Sequence, residues 1–194
     1  MSFPATVPRQ CARWRLQQSG NTIMTTQQES PVSAVIAIQV ENESGALARV
    51  IGLFSGRGYN IESLTVAPVD ETRRQSRINI VTTATPHVLE QIRAQVARLV
   101  PVYRVSVMTG QDPHVAREMA LVKVIASGER RADALRIAQA FRAHPVDASA
   151  TSFVFELTGA TDKLDAFIDL MRPLGLAEVS RTGVAAIARG AAIL

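Results

Sequence analysis

Asn42, Ser44 and Gly45 form a short polar turn directly ahead of an apolar helical stripe. That combination suits capture of a small anion. Val35 to Val40 is an apolar run of strand length. The turn Asn42-Glu43-Ser44-Gly45 follows, with Asn and Ser as capping types and Gly as the residue that permits close backbone approach. Leu47, Val50, Ile51 and Phe54 then recur at helical spacing, and Gly56 and Gly58 stop the helix. Ile61, Leu64 and Val66 begin the next strand. Amides opening a helix have no partner within it, and the helix dipole adds positive potential there, about 0.3–1 kcal/mol for an exposed anion. A carboxylate above the turn fits both features. The Asn42 amide can accept from an ammonium group and donate to a carboxylate. Asn60 lies beyond the far end of the helix and could come from a neighbouring chain. Together these groups would hold a free amino acid by its backbone atoms. The plainer alternative is that Asn42 and Ser44 only cap the helix.

Other reactive constellations are missing. The three histidines, His87, His114 and His144, have no metal-ligand spacing. No G-x-S-x-G elbow or P-loop is present, and Gly56-x-Gly58 follows a helix and lacks a third glycine. Lys163 and Asp165 read as a solvated helix start rather than an acid–base pair. Glu41 and Glu43 read as exposed, with Glu43 placed to attract an ammonium end. The expected catalytic and metal-binding sets are therefore both none.

The 194 residues could hold one large domain or two small ones, and 47% hydrophobic with 20% charged residues is a globular balance. No apolar run is long enough to span a bilayer, so no membrane partner is expected. The net charge of +4 is carried mostly by scattered Arg, with Lys only at 123 and 163. Without an aromatic stacking face, that spread argues against nucleic acid. Cys11, the lone cysteine, excludes an internal disulfide and a Cys-type zinc site, and fits a reducing compartment.

The pattern divides the chain into a leader at 1–33, a first domain at 34–109, a linker at 110–117 and a second domain at 118–194. The leader carries Arg9, Arg13 and Arg15 with no acid before Glu29. Its composition is that of a transit peptide without a secretory core, but a disordered tail, or a true start at Met24, is the simpler expectation. The first domain reads as strand, helix, strand, strand, helix, strand. Arg77 to Thr83 alternates, Thr85 and Pro86 open a helix with the stripe Val88, Leu89, Ile92, Val96 and Leu99, and Val102 to Met108 alternates again. The expected fold is α+β, a four-stranded antiparallel sheet with both helices on one face. The other face and the edges need cover, which a second copy would supply. The second domain repeats the order: a strand over Met119 to Ala126, a helix over Arg131 to Ala143 broken by Pro145, a hairpin pair, a helix capped by Thr161 or Asp162 and stopped by Pro173 and Gly175, and a last strand or strands within Leu176 to Ala188. It lacks an N-E-S-G turn, so no effector site is expected there.

The run Val40 to Val66, V-E-N-E-S-G-A-L-A-R-V-I-G-L-F-S-G-R-G-Y-N-I-E-S-L-T-V, resembles the opening ACT domain of acetolactate synthase small subunits. The resemblance continues through Leu89-Glu90-Gln91-Ile92, Arg117-Glu118, Leu121-Val122-Lys123, Leu157-Thr158-Gly159 and Arg181-Thr182-Gly183-Val184, and spans residues 34–190. It implies two ferredoxin-like domains, the first an ACT domain paired in a homodimer. It implies a regulatory, non-catalytic subunit that activates a separate catalytic large subunit. A branched-chain amino acid, usually valine, would bind between two ACT domains and inhibit that enzyme. The family's effector-contacting Asn, Gly and Asn fall on Asn42, Gly45 and Asn60, and Ser44, Ala46, Leu47 and Ile61 complete the expected effector-binding set. Thiamine diphosphate, magnesium and FAD would belong to the catalytic partner, with no cofactor on this chain, and the setting would be cytoplasmic branched-chain biosynthesis. The alternative is a stand-alone ACT-type amino-acid sensor, which would not need a second domain shaped for a large partner.

Overall fold

A computed structural model describes residues 30–191 and 193–194. The expectations for Cys11, Met24 and most of the leader lie outside the described residues. The chain enters a sheet at β1 (Val32–Glu41), so Val32 and Ser33 belong to the first strand rather than to a leader. It continues through α1 (Ala46–Arg57), β2 (Ser63–Pro68), β3 (Gln75–Ala84), α2 (Pro86–Val96) and β4 (Val102–Thr109). The sheet order β2-β3-β1-β4 is antiparallel throughout, with β1 central between β3 and β4. This is the ferredoxin-like arrangement, in which each helix crosses one face of the sheet.

Alternation along the strands decides what each face buries. Ile36, Ile38 and Val40 of β1 and Ile78 and Ile80 of β3 point to the helices, where they meet Val50 and Phe54 of α1 and Ile92 and Val96 of α2. Burying one such side chain contributes about 1.5–3 kcal/mol. Thr85 caps α2, its hydroxyl accepting from the Val88 amide at 3.5 Å, with Pro86 at the first helical position. Val35, Ala37, Val81 and Met108 face the opposite way.

The second half runs β5 (His114–Ile125), α3 (Gly128–Phe141), β6 (His144–Ala148), β7 (Ser152–Gly159), α4 (Thr161–Gly175), β8 (Leu176–Arg181) and β9 (Ala185–Ala188). Its sheet order, β6-β7-β5-β8, repeats that of the first half. Phe155 and Phe167 meet edge to face at 6.2 Å in its core, with Phe141 5.4 Å from Phe167.

Several expectations change. Residues 114–117, read as linker, are the first part of β5, where they pair with β9: His114 opposite Ala188, and Arg117 opposite Ala185. Pro145 lies within β6 instead of ahead of it; β6 is an edge strand, where a missing N–H costs no ladder bond. Ala160, not Thr161 or Asp162, is the cap residue of α4. Pro173 does not stop that helix, which runs on to Gly175 while Met171 and Leu174 pack in the core. The free face of the first sheet is covered, at least in part, by this chain itself. Val184 and Ala186 pack on Val35, Ala37, Val81 and Met108.

Candidate functional site

The turn between β1 and α1 is held from two sides. The Asn42 amide donates to the Arg74 carbonyl at 2.7 Å, and its side-chain Nδ2 donates to the Arg73 carbonyl at 2.7 Å. Both acceptors belong to the loop joining β2 to β3. That loop is fixed by Asp70, whose carboxylate accepts from the Thr72 hydroxyl and, at 2.8 Å, from the Gln75 amide. These bonds, the Thr72 hydroxyl first, hold the Asp70 carboxyl below its usual range. With Nδ2 engaged, Asn42 presents Oδ1, an acceptor suited to an ammonium group.

Neither Asn42 nor Ser44 caps α1 with its side chain. The cap residue is Gly45, at φ 87° and ψ −8°, and no side-chain cap bond is made. A residue with a Cβ is strained in that left-handed region, so the turn requires glycine. The Ala46 amide bonds back to Glu43 at 3.2 Å and the Arg49 amide bonds to Gly45 at 3.0 Å. Between them, the Leu47 and Ala48 amides take no acceptor among the described residues. No acidic residue occupies the first turn. The result is an exposed pair of N–H groups under a helix dipole, with a glycine surface beside them. A small carboxylate would complete it. Ser44 and Gly45 are exposed, Ala46 is buried, and Leu47 is half-buried against the helix-side core.

Glu43 does not stand ready for an ammonium group, as expected from the sequence. Its carboxylate accepts from Arg49 at 2.6 Å. That pair keeps the carboxylate's charge compensated next to the turn.

Asn60 and Ile61 lie just past α1. Ile61 packs against the helix-side core, while Asn60 is exposed and its carbonyl accepts from the buried Thr82 hydroxyl at 2.7 Å. The 12 residues of α1 separate Asn60 from the Asn42 turn, a span of roughly 18 Å at 1.5 Å per residue. The structure thus groups Asn42, Ser44, Gly45, Ala46 and Leu47 at one end of α1, and Asn60 and Ile61 at the other. A free amino acid cannot bridge the two clusters within one chain.

A second polar cluster went unnoticed in the sequence. Arg181 of β8 grips Glu118 of β5 with two bonds, at 2.8 and 2.6 Å, and reaches Asp165 of α4 at 2.6 Å. Glu118 is only 6% exposed. The hydrogen bond to Glu118 is the main reason the guanidinium is held more firmly protonated than usual. The signal was present: Glu118 occupies the inward register of β5 shared by Ala120, Val122 and Val124. The cluster joins three elements, and its carboxylates and guanidinium are spent on one another, so it reads as a structural brace. Among the described residues, no His, Cys, Asp and Glu group could hold a metal ion, and no helix is long and apolar enough to cross a membrane.

Comparison with known proteins agrees with this arrangement along almost the whole described chain. Residues 36–104 match the family described as the AHAS small subunit-like ACT domain, and residues 117–190 match the small subunit of acetolactate synthase. The acetolactate synthase isozyme 3 small subunit of Salmonella typhimurium is 48% identical over 161 residues, which are 82% of this chain and 98% of that one. The probable acetolactate synthase small subunit of Archaeoglobus fulgidus is 46% identical over 155 residues, 80% of this chain and 96% of that one. The crystal structure of the acetolactate synthase small subunit from Thermotoga maritima superposes with a TM-score of 0.74 at 33% identity, covering 82% of this chain and 99% of that one.

Proposed function

This chain belongs to the acetolactate synthase small-subunit family, and we propose that it regulates a separate acetolactate synthase catalytic subunit. It activates that large subunit and lowers its activity when valine, or another branched-chain amino acid, binds. Thiamine diphosphate, magnesium and FAD are carried by the catalytic partner, and this chain carries no cofactor. The setting is the cytoplasm, in the first shared step toward valine, leucine and isoleucine.

One observation supports the effector reading most strongly: the uncapped start of α1. The Leu47 and Ala48 amides, the Gly45 backbone and Asn42 Oδ1 offer donors for a carboxylate and an acceptor for an ammonium group side by side. A zwitterion has both ends. Asn60 and Ile61 come from a second copy of the chain, because α1 holds them too far away in the same one. The apolar part of the ligand then meets Leu47 of one protomer and Ile61 of the other. Both are half-buried and neither is fully enclosed in a single chain.

Regulation follows from linkage. Valine shifts the enzyme only if it binds one arrangement of the ACT pair more tightly than another. A coupling of about 1–3 kcal/mol suffices for ordinary feedback. Calorimetry of the purified chain with valine, leucine and isoleucine tests the binding step. Inhibition of the enzyme reconstituted with its large subunit tests the output. Saturable binding and matching inhibition support the proposal; no binding of any of the three contradicts it.

A further inference from the structure

Residues 182–184 connect β8 to β9 and, with the first two residues of β9, cross the start of β2. The Val184 amide donates to Ser63 Oγ at 2.9 Å, and the Val184 carbonyl accepts from Thr65 Oγ1 at 3.2 Å. Thr65 is steered by Asn79, whose Nδ2 donates to its hydroxyl at 3.1 Å, and Arg77 donates to the Ala186 carbonyl at 2.8 Å. Burial lowers the Arg77 pKa, yet among the described residues no carboxylate pairs with it; its donors go to Ala186 and Asn79. Gly183 sits at φ 81°, and a Cβ there would lie 2.6 Å from Ser63 Oγ and 3.1 Å from Thr65 Cγ2. The backbone of one half therefore presses on the side chains of the other, with glycine at the point of closest approach.

Open space flanks the Ser63 and Thr65 contacts. On one side a cleft of about 420 Å³ opens between Glu62 and Val81 on the first half and Thr161 and Arg181 on the second. On the other a groove of about 510 Å³ runs along Val66, Ala67 and Thr182. Two hydroxyls, Ser63 and Thr65, thus hold the segment to β2 between two open spaces. The same stretch of β2 begins two residues after Ile61. Asn60 is tied to β3 by Thr82, Glu62 is tied to Val81 by its amide at 2.9 Å, and Val81 packs on Val184 within one apolar cluster.

We propose that residues 182–186 form an interdomain latch through which occupancy at Asn60 and Ile61 is coupled to the second domain. This rests on the effector reading above. A ligand that fixes Asn60 and Ile61 also fixes the entry to β2, and with it Ser63 and Thr65. The latch then closes more tightly, and by linkage a closed latch tightens the ligand by the same factor. Ser63, Thr65 and Gly183 are positioning residues; they do not touch the ligand.

Hydrogen exchange of the full chain, with and without saturating valine, reads both ends of the device. Exchange of the Val184 amide, which Ser63 accepts, slows about fivefold or more with valine, alongside Asn60 and Ile61. Ser63→Ala removes the acceptor of the Val184 amide without touching Asn60 or Ile61, and valine affinity falls about fivefold or more by calorimetry at a temperature where a melting curve shows the variant folded. Gly183→Ala also lowers valine affinity, and it lowers the melting temperature as well, because φ 81° strains a residue with a Cβ and that Cβ meets Ser63 and Thr65. Protection that grows at Asn60 and Ile61 but not at Val184, with Ser63→Ala binding valine as the parent does, overturns the latch and leaves the effector site standing. No valine-dependent protection at Asn60 and Ile61 overturns both.

Discussion

Asn42 and Asn60 stand at opposite ends of α1, separated by the helix's full 12 residues. Each is exposed, and each has its backbone tied down, Asn42 by the Arg74 carbonyl of the loop joining β2 to β3 and Asn60 by the Thr82 hydroxyl of β3. They are too far apart for one small ligand, which is why the proposed effector site draws its two asparagines from two copies. A two-fold dimer is self-complementary, so such a pairing forms two equivalent sites.

Gly45→Asp should abolish the valine response while leaving activation of the large subunit largely intact. Space is not the obstacle, since nothing lies within 4 Å of a Cβ built there. The loss of binding comes from a carboxylate beside the amides that should hold another carboxylate, about 1–4 kcal/mol of repulsion. Strain at φ 87° lowers stability instead. Titrating reconstituted enzyme with valine checks this; an unchanged inhibition curve contradicts it.

Asn42→Ala and Asn60→Ala should each weaken valine binding by about 1–3 kcal/mol, the cost of a lost bond to a charged group. Their effects on stability should be small, because both side chains are exposed. Calorimetry paired with thermal melts separates the two. Loss of stability without loss of affinity would move these residues out of the site.

Much of the fold was legible in the sequence because its signals are local. The apolar run Val35 to Val40, the stripe Val50 and Phe54, and the Thr85–Pro86 helix start are each read within a few residues. Contacts made at long range were not legible. His114 to Arg117 look like linker because their strand partners are Ala185 to Ala188, about seventy positions away. The packing of Val184 and Ala186 on the first sheet's free face is another such contact, since nothing near Val35 or Val81 announces it. In the candidate site, the polar turn was visible, but the sequence left open whether Asn42 and Ser44 merely cap. Backbone geometry answers that by making Gly45 the cap. Glu43 is exposed as read, but its pairing with Arg49, six residues on, is not announced by its neighbours.

Arg181→Met should cost about 2–3 kcal/mol of stability. It strips a buried Glu118, only 5% exposed at its side chain, of a two-bond partner. The figure sits below that for a fully buried pair because Arg181 is 31% exposed and its bond to Asp165 is solvent-screened. Urea unfolding followed by circular dichroism checks it. A midpoint unchanged from the parent would show that the brace contributes nothing.

Gly175→Ala should be more severe, a loss above about 3 kcal/mol or failure to fold. An added Cβ would sit 2.2 Å from the Ile125 carbonyl oxygen, a backbone atom that cannot rotate aside. The end of α4 would have to lift from β5. Soluble yield and the urea midpoint report the result, and a variant as stable as the parent contradicts the packing described here.

The composite site is tested most directly by mixing two defective chains. Each of Asn42→Ala and Asn60→Ala alone damages every site in its own dimer. After unfolding and refolding an equal mixture, each hybrid dimer carries one site with both asparagines intact and one with neither. Random pairing then makes about a quarter of all sites intact. Calorimetry should recover tight valine binding at about that stoichiometry, absent from either variant alone. If mixing restores nothing, Asn42 and Asn60 do not meet across two chains, and the account fails.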